Sequence, residues 1–553
     1  MKKQLLLLFL LPTLLFAQQN LQLNREWGLK YEKEKNKISG KQPKDSITKK
    51  DINSPEDLSC FKPYIVNPEY SLKDKSKGNY LYRKLKKESL IIVNDTADKF
   101  HLNVDPLFNF QYGKDIADKT GEKLYTNTRG FLLRGGFGNK LDFESSFYEN
   151  QSTFPQYMDS YIASTNNLFP QTANYDYAVI PGQGRSKSFH TNGYDYAMAS
   201  GYLSYTPIKM LNVQIGNGKH FVGDGYRSLL LSDNAFNYPY ARITTTYKNI
   251  QYTNLYTTFM NLTDGGVKTP PHSERLFQKK VGNFQMLSIN LFNRLQIGLF
   301  QGMIWEAADS DNRQHVNFNT FDPVIGVNTL NYGLHNTNNI LTGSTLKFKI
   351  TNSISLYGQF MLDDVAYSKN SGGDVKNKYG YQIGFKYYDL FKIKNLHLQL
   401  EYNYVRPYSY STDNSQQSYT HYNQSLADPL GANFKEAIGF INYRLKDFFI
   451  ELKGIYAVKG ADSSSFNYGG NIFKPDNSFP GSQNLNNIQT TQGVKSTLIV
   501  EDMHVGYLLN PTTNFNIVVG ITNRTEQTNK ITNNTQLVYF GIRTSLTNLY
   551  YDF

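Results

Sequence analysis

The chain has 553 residues and a net charge of +12, with 42 Tyr and 36 Phe against only 2 Trp and a single Cys. One cysteine excludes an intrachain disulfide framework. The positive charge is spread thinly. Residues 18–100 hold +6 and residues 101–553 only +4, which excludes the concentrated basic stripe that nucleic acid requires.

In chain order, residues 1–17 read as a signal peptide. Lys2 and Lys3 are the charged n-region, Leu5–Phe16 the apolar h-region, and Ala17 a cleavage site before Gln18. No later stretch is long and apolar enough for a spanning helix. Residues 18–100 read as a periplasmic segment, irregular over 18–75, with its Lys-rich stretches suited to water or to anionic lipid headgroups. Cys60 reads as a small residue of this segment. A short helix is expected near residues 79–92, where Leu81 and Leu85 share a face, as a plug or packing helix at a barrel floor.

From residue 101 to 553 the pattern becomes period two. Leu346, Phe348 and Ile350 alternate with Lys347 and Lys349, and after a turn Ile354, Leu356, Gly358 and Phe360 alternate with Ser355, Tyr357 and Gln359. One face suits lipid and the other water. The connections also sort themselves. Short turns fall near Pro207–Met210, Lys248-Asn249, Asn293-Arg294, Asn352-Ser353, Lys446-Asp447 and Asn510–Thr513, with a slightly longer link at Asp389–Asn395. Long links lie between them, at about 149–198, 218–240, 261–283, 304–341, 364–378, 407–435 and 459–494. This predicts an all-β transmembrane outer-membrane barrel of about 18 antiparallel strands, with short periplasmic turns and long extracellular loops. Leu549, Tyr551 and Phe553 alternate as a last wall strand would, with both chain ends in the periplasm. Tyr381, Tyr387, Tyr388, Tyr402 and Tyr404 suit interfacial girdles.

The densest cluster is Asn217–Tyr240, NGKHFVGDGYRSLLLSDNAFNYPY, which is expected to dip into the barrel mouth because Leu229–Leu231 must pack on something. The predicted mouth offers aromatic faces and charged or amide groups, the combination that recognises sugars. The candidate polysaccharide-binding residues are Asp224, Tyr226, Arg227, Asn234, Trp305, Glu306, Asp363, Arg406, Tyr408 and His421. Bracing of a polar lumen competes with a sugar role at each charged one. Catalytic signatures are missing. NGKHFVGDG lacks the context of a phosphate loop, there is no HExxH or G-x-S-x-G, and adjacent Asp363 and Asp364 point to opposite faces of a strand. A non-enzymatic protein without cofactor or metal is expected. A passive channel and a partner of surface adhesins or secretion machinery are the alternatives.

GKHFVGDGYRSLLLSDNA resembles the hallmark segment of the Wzi-type outer-membrane capsule-assembly family. LYRKLKKESLIIV, FHLNVDPLFNFQYG, YGQFMLDD, EYNYVRPYSY and YTHYNQSLADPLGAN support the likeness, which is nearest to the gliding-motility RemB branch. The resemblance implies an 18-stranded barrel with a small periplasmic helical element. It also implies a lectin-like role in holding or organising surface polysaccharide, in a motility setting with motility proteins as partners. The positions matching the family segments are Gly218, Arg227, Ser228, Leu229–Leu231, Ser232, Asn234, Asp363, Asp364, Tyr410, His421, Leu430 and Gly431.

Overall fold

A computed structural model describes residues 18–38, 59–66, 78–95, 97–167, 178–262, 277–307, 321–334, 338–366, 373–463, 466–478, 485–529, 531–544 and 546–553. The expected leader at residues 1–17 lies outside them. Eighteen antiparallel strands close into a barrel. They are β1 (Phe100–Asp115), β2 (Lys123–Phe137), β3 (Leu141–Thr153), β4 (Gly193–Ile208), β5 (Leu211–Gly218) and β6 (Tyr238–Tyr247). β7 (Ile250–Asn261), β8 (Gln278–Leu291), β9 (Leu295–Glu306), β10 (Asn339–Lys349), β11 (Ile354–Asp364) and β12 (Lys378–Tyr388) follow. β13 (Leu396–Val405), β14 (Phe434–Leu445), β15 (Phe448–Ala461), β16 (Val494–Asn510), β17 (Phe515–Thr528) and β18 (Thr532–Arg543) complete the wall. The seam is β18 on β1, from Leu537 opposite Asp115 to Arg543 opposite Asn109. Below it the short strand Ile91–Asp95 pairs with Phe100–Val104 and covers the start of that edge.

The period-two alternation produces this wall directly. On β13, His397, Gln399, Glu401 and Asn403 are buried inward, while Leu398, Leu400, Tyr402 and Tyr404 face out. The outer face is an apolar belt and the inner face is polar, the pattern of a barrel that crosses a membrane. Tyr381 and Tyr404 stack with ring centroids 4.9 Å apart on the outer face; Tyr388 instead turns inward and is buried. The turns at one end are short, with left-handed backbone at Lys248, Asn293, Asp389 and Lys446. The long links fall at the other end, joined there by 116–122 and 529–531.

The lumen is filled. The link 219–237 dips inward as its sequence implies, and Leu229, Leu230 and Leu231 are fully buried against Phe284, Phe300, Met361, Tyr410 and Tyr419. Phe221–Val222 on this dip pairs with Phe61–Lys62, so the N-terminal segment adds a strand to it. Cys60 lies beside them, buried, with its sulfur 3.2 Å from Thr345 Oγ1.

Two features differ from the sequence reading. Residues Arg25–Lys35, expected to be irregular, form helix α1, whose Asn24 N-cap accepts from Trp27 N at 2.9 Å. α1 lies against a polar wall and needs charges rather than an apolar stripe, so it carries no helical periodicity of hydrophobics. Arg25 pairs with Glu451, Glu26 with Arg543, Glu32 with Lys386 at 2.5 Å and Lys62 at 2.8 Å, and Lys33 with Asp389 at 2.8 Å. Secondly, Leu549, Tyr551 and Phe553 are not part of a wall strand. β18 ends at Arg543, and residues 546–553 run among lumen groups, with Tyr550 and Asp552 buried. The hydrogen bonds their side chains make outweigh a period-two pattern only five residues long. The helix expected near 79–92 is present as α2 (Tyr80–Lys86), followed by the strand at 91–95.

Candidate functional site

The dip is locally folded before it meets the wall. Ser228 Oγ donates to Val222 O at 2.6 Å and accepts from Leu230 N and Leu231 N, while Val222 N bonds Leu231 O at 2.8 Å. Inward amides then hold this loop. Gln359 donates to Val222 O at 2.7 Å and accepts from Leu229 N at 2.8 Å, and Gln382 donates to Arg227 O at 2.9 Å. The Glu401 carboxylate accepts from both Tyr226 N (2.7 Å) and Arg227 N (3.0 Å).

Arg227 is the centre of charge. Its guanidinium is 3.2 Å from Glu436, 3.0 Å from Asp552 and 4.0 Å from Asp428, and it lies over the rings of Tyr226 and Tyr550. Tyr226 Oη donates to Asp552 at 2.6 Å, and Lys453 reaches the same carboxylate at 2.8 Å. Tyr550 Oη and Asn548 Nδ2 donate to the two oxygens of Asp233. The dip and the last residues of the chain are thus cross-linked inside the barrel. Removing one partner from such a buried network leaves charge uncompensated, at a cost of about 3–5 kcal/mol.

The predicted site residues separate into three places. Asp224, Tyr226, Arg227, Asn234 and His421 belong to the lumen filling. Asp224 pairs with Lys347 at 2.6 Å, and Asn234 donates to Ser425 O at 3.1 Å. His421 Nδ1 accepts from Met260 N at 2.9 Å, and Nε2 faces Asn237 O at 3.2 Å. Burial pushes the His421 imidazole down to about 3, and it lowers the neighbouring Lys219 ammonium to about 8 against the pull of Asp233. Asp363, Arg406, Tyr408 and Glu306 knit the long loops. Arg406 donates to Asn377 O, Asp374 O and Ile488 O, Tyr408 Oη to Asn467 O at 3.0 Å, and Asp363 accepts from Tyr410 N at 2.7 Å. Asn414 Nδ2 lies 3.5 Å from Glu306 Oε2.

Trp305 stands apart. It faces outward on β9 and is buried beneath Phe321, ring centroids 5.9 Å apart, so the structure separates it from both groups. Neighbours on a strand point to opposite faces, which separates Trp305 from Glu306.

Sequence reasoning missed Glu401, Asp428, Glu436, Asp552, Gln359 and Gln382, which hold the dip. Period-two alternation marks the strand members as inward; nothing local says which of them meets Arg227. It also missed the loop-end aromatics. Phe466 is exposed, its ring 6.4 Å from that of Tyr468, and Lys474 pairs with Asp462 at 3.3 Å beside them. An aromatic pair flanked by a cation and a carboxylate can offer a sugar both a ring face and hydroxyl partners.

No protein-family model matches the sequence, and no curated protein does. Among solved structures, the chain is similar to Wzi, a carbohydrate-binding outer-membrane barrel involved in Group 1 capsule assembly in Escherichia coli. The identity is 13% over 80% of this chain and 85% of that one, with a TM-score of 0.46. It is also similar to OccAB2 of Acinetobacter baumannii (10% identity, 80% and 97% covered, TM-score 0.41). For the outer membrane protein OprD of Pseudomonas aeruginosa the values are 10%, 85% and 99%, and 0.40.

Proposed function

We propose that this protein is a closed, non-enzymatic outer-membrane barrel that binds or organises polysaccharide at the cell surface and supports gliding motility. Its short turns face the periplasm and its long loops the exterior, where surface adhesins or motility proteins are its protein partners. The observation that carries this reading is the filled lumen. The dip, α1 and residues 546–553 occupy the space a channel would use, which leaves the long-loop end as the working surface. The likeness of the dip to the Wzi-type segment supports the same reading, with those residues acting as the keystone under the loops. Arg406 ties three loops together, and Phe466, beside the ring of Tyr468, is exposed on one of them. Many such weak contacts along one polymer add up to retention.

The test is binding of the purified barrel to polysaccharide extracted from the surface of the producing cell. Phe466→Ala with Tyr468→Ala is expected to weaken binding about tenfold, the equivalent of losing roughly 1.4 kcal/mol of ring contact. The heat-modifiable barrel should be unchanged. Arg227→Ala is expected to act differently, by loosening the lumen filling. A well-folded wild-type barrel that binds no polysaccharide overturns the proposal.

A further inference from the structure

α2 is fixed to the short-turn rim by its backbone while its apolar side chains face away. Asn79 caps it, accepting from Tyr82 N at 2.9 Å. Asn510 Nδ2 donates to Lys84 O and Glu88 O, each at 3.0 Å, and Thr512 Oγ1 to Lys87 O at 2.7 Å. Ser89 Oγ and Leu90 N then bond Asp105, and Ile91–Asp95 joins the barrel edge. With the helix held this way, Tyr80 is 66% and Leu81 65% exposed, and Tyr82, Leu85, Leu90, Ile91 and Val93 are exposed as well.

This apolar row continues a collar that the barrel already carries. Phe292, at the tip of one short turn, is 89% exposed, and Phe391, at the tip of another, 76%. Tyr247, Leu445 and Phe448 are exposed beside other turns. Aromatic side chains at such tips are unfavourable in water and favoured at a membrane interface. Basic residues alternate with them. Lys140, Lys209, Lys248, Arg294, Lys392 and Lys446 are exposed in these turns, against few carboxylates, of which Asp389 is paired with Lys33. On α2, Arg83 and Lys84 neutralise the buried Glu88, and the Lys86 ammonium lies 5.2 Å from the Tyr507 ring on the barrel wall.

We propose that α2 and the short-turn rim form a collar that docks anionic phospholipid headgroups. Tyr80, Leu81, Tyr82 and Leu85 enter the acyl region, and Lys86, Lys87 and the turn lysines meet the phosphates. Two observations select this occupant: continuity with the lipid-facing belt, and the positive charge beside it. A helix this short would not insert alone, but the barrel holds it in place. The inference rests on the periplasmic placement of this rim, where the leaflet is phospholipid.

The experiment uses the full chain in nanodiscs of phosphatidylethanolamine with or without cardiolipin. A Tyr82→Trp reporter, read against wild type, is expected to lose most of its added emission when the acyl chains are brominated. Cardiolipin carried through purification should fall several-fold in Lys86→Glu/Lys87→Glu/Lys248→Glu, while inorganic phosphate leaves wild-type retention unchanged. An unquenched Tyr82→Trp beside a quenched Phe292→Trp overturns the proposal, since the helix then faces water or a protein. Equal retention by the charge-reversed variant, or displacement by phosphate, overturns the headgroup assignment. Failure of the orientation alone reads differently: Lys86→Cys would be labelled by an impermeant maleimide on intact cells while lipid quenching persisted.

Discussion

His421 shows how a polar residue in this protein is used up by its surroundings. With Met260 N–H donating to Nδ1, the proton sits on Nε2 and points at Asn237 O, so the ring is neutral and a second proton would cost the Met260 bond. Its folded value, about 3, lies below that of an unfolded histidine, near 6.5. The unfolded chain therefore takes up the proton first. The stability His421 contributes is complete above about pH 6.5 and is lost as the pH falls toward 3, by at most about 1.4 kcal/mol per pH unit. The temperature at which the barrel loses its heat-modifiable form should decline over this window, and His421→Gln should flatten the decline. Parallel curves for variant and wild type would contradict the assignment. Arg227 and Asn234 follow the same logic: their residue types suit a ligand, but Arg227 is paired with Glu436 and Asp552, and Asn234 donates to Ser425 O.

The link between β9 and β10 behaves differently from the other long links. Its segment Phe321–Gly333, which contains helix α3 (Val327–Tyr332), lies along the outer wall. Tyr252 Oη donates to Pro323 O at 2.5 Å, Gln285 Nε2 to Asp322 O at 2.6 Å and Asn283 Nδ2 to Asp322 O at 3.1 Å. Gln301 Oε1 accepts from Gly326 N and Thr329 Oγ1, both at 2.9 Å. Asn283, Gln285 and Gln301 occupy outward positions, where bare amides in hydrocarbon would be costly, and the strap hydrogen-bonds to each of them. Leu330, 86% exposed, is then turned away from the wall. Gln285→Leu with Gln301→Leu gives the wall an apolar surface that lipid covers, so the barrel should persist while the strap detaches. Limited proteolysis should then cut within residues 321–333 at unchanged heat-modifiable barrel. Equal resistance in variant and wild type would refute the strap's dependence on these amides.

For the whole molecule, the filled lumen predicts a closed conductance state. Purified wild-type protein in a planar bilayer should stay near baseline, and deleting residues 19–38 together with 546–553 should raise conductance by removing α1 and the C-terminal part of the filling. Large, steady wild-type openings would instead favour a passive channel.

Much of this architecture was legible in the chain. Alternation such as Leu346–Ile350 and Ile354–Phe360 separates lipid-facing from lumen-facing residues, because strand side chains point to opposite faces with a period of two. The sorting of short and long links placed the turns, and the apolar triplet Leu229–Leu231 announced the inward dip because three leucines need a core. These are local signals, carried by residues a few positions apart. What only the tertiary structure decided are contacts between residues far apart in sequence: Arg227 with Asp552, Arg25 with Glu451, Trp305 under Phe321. α1 has no apolar stripe because the polar lumen wall surrounds it, and the last residues looked like a strand until the buried bonds of Tyr550 and Asp552 drew them inward. Local periodicity determines which face a residue takes; only barrel closure, which brings distant strands together, decides what it meets there.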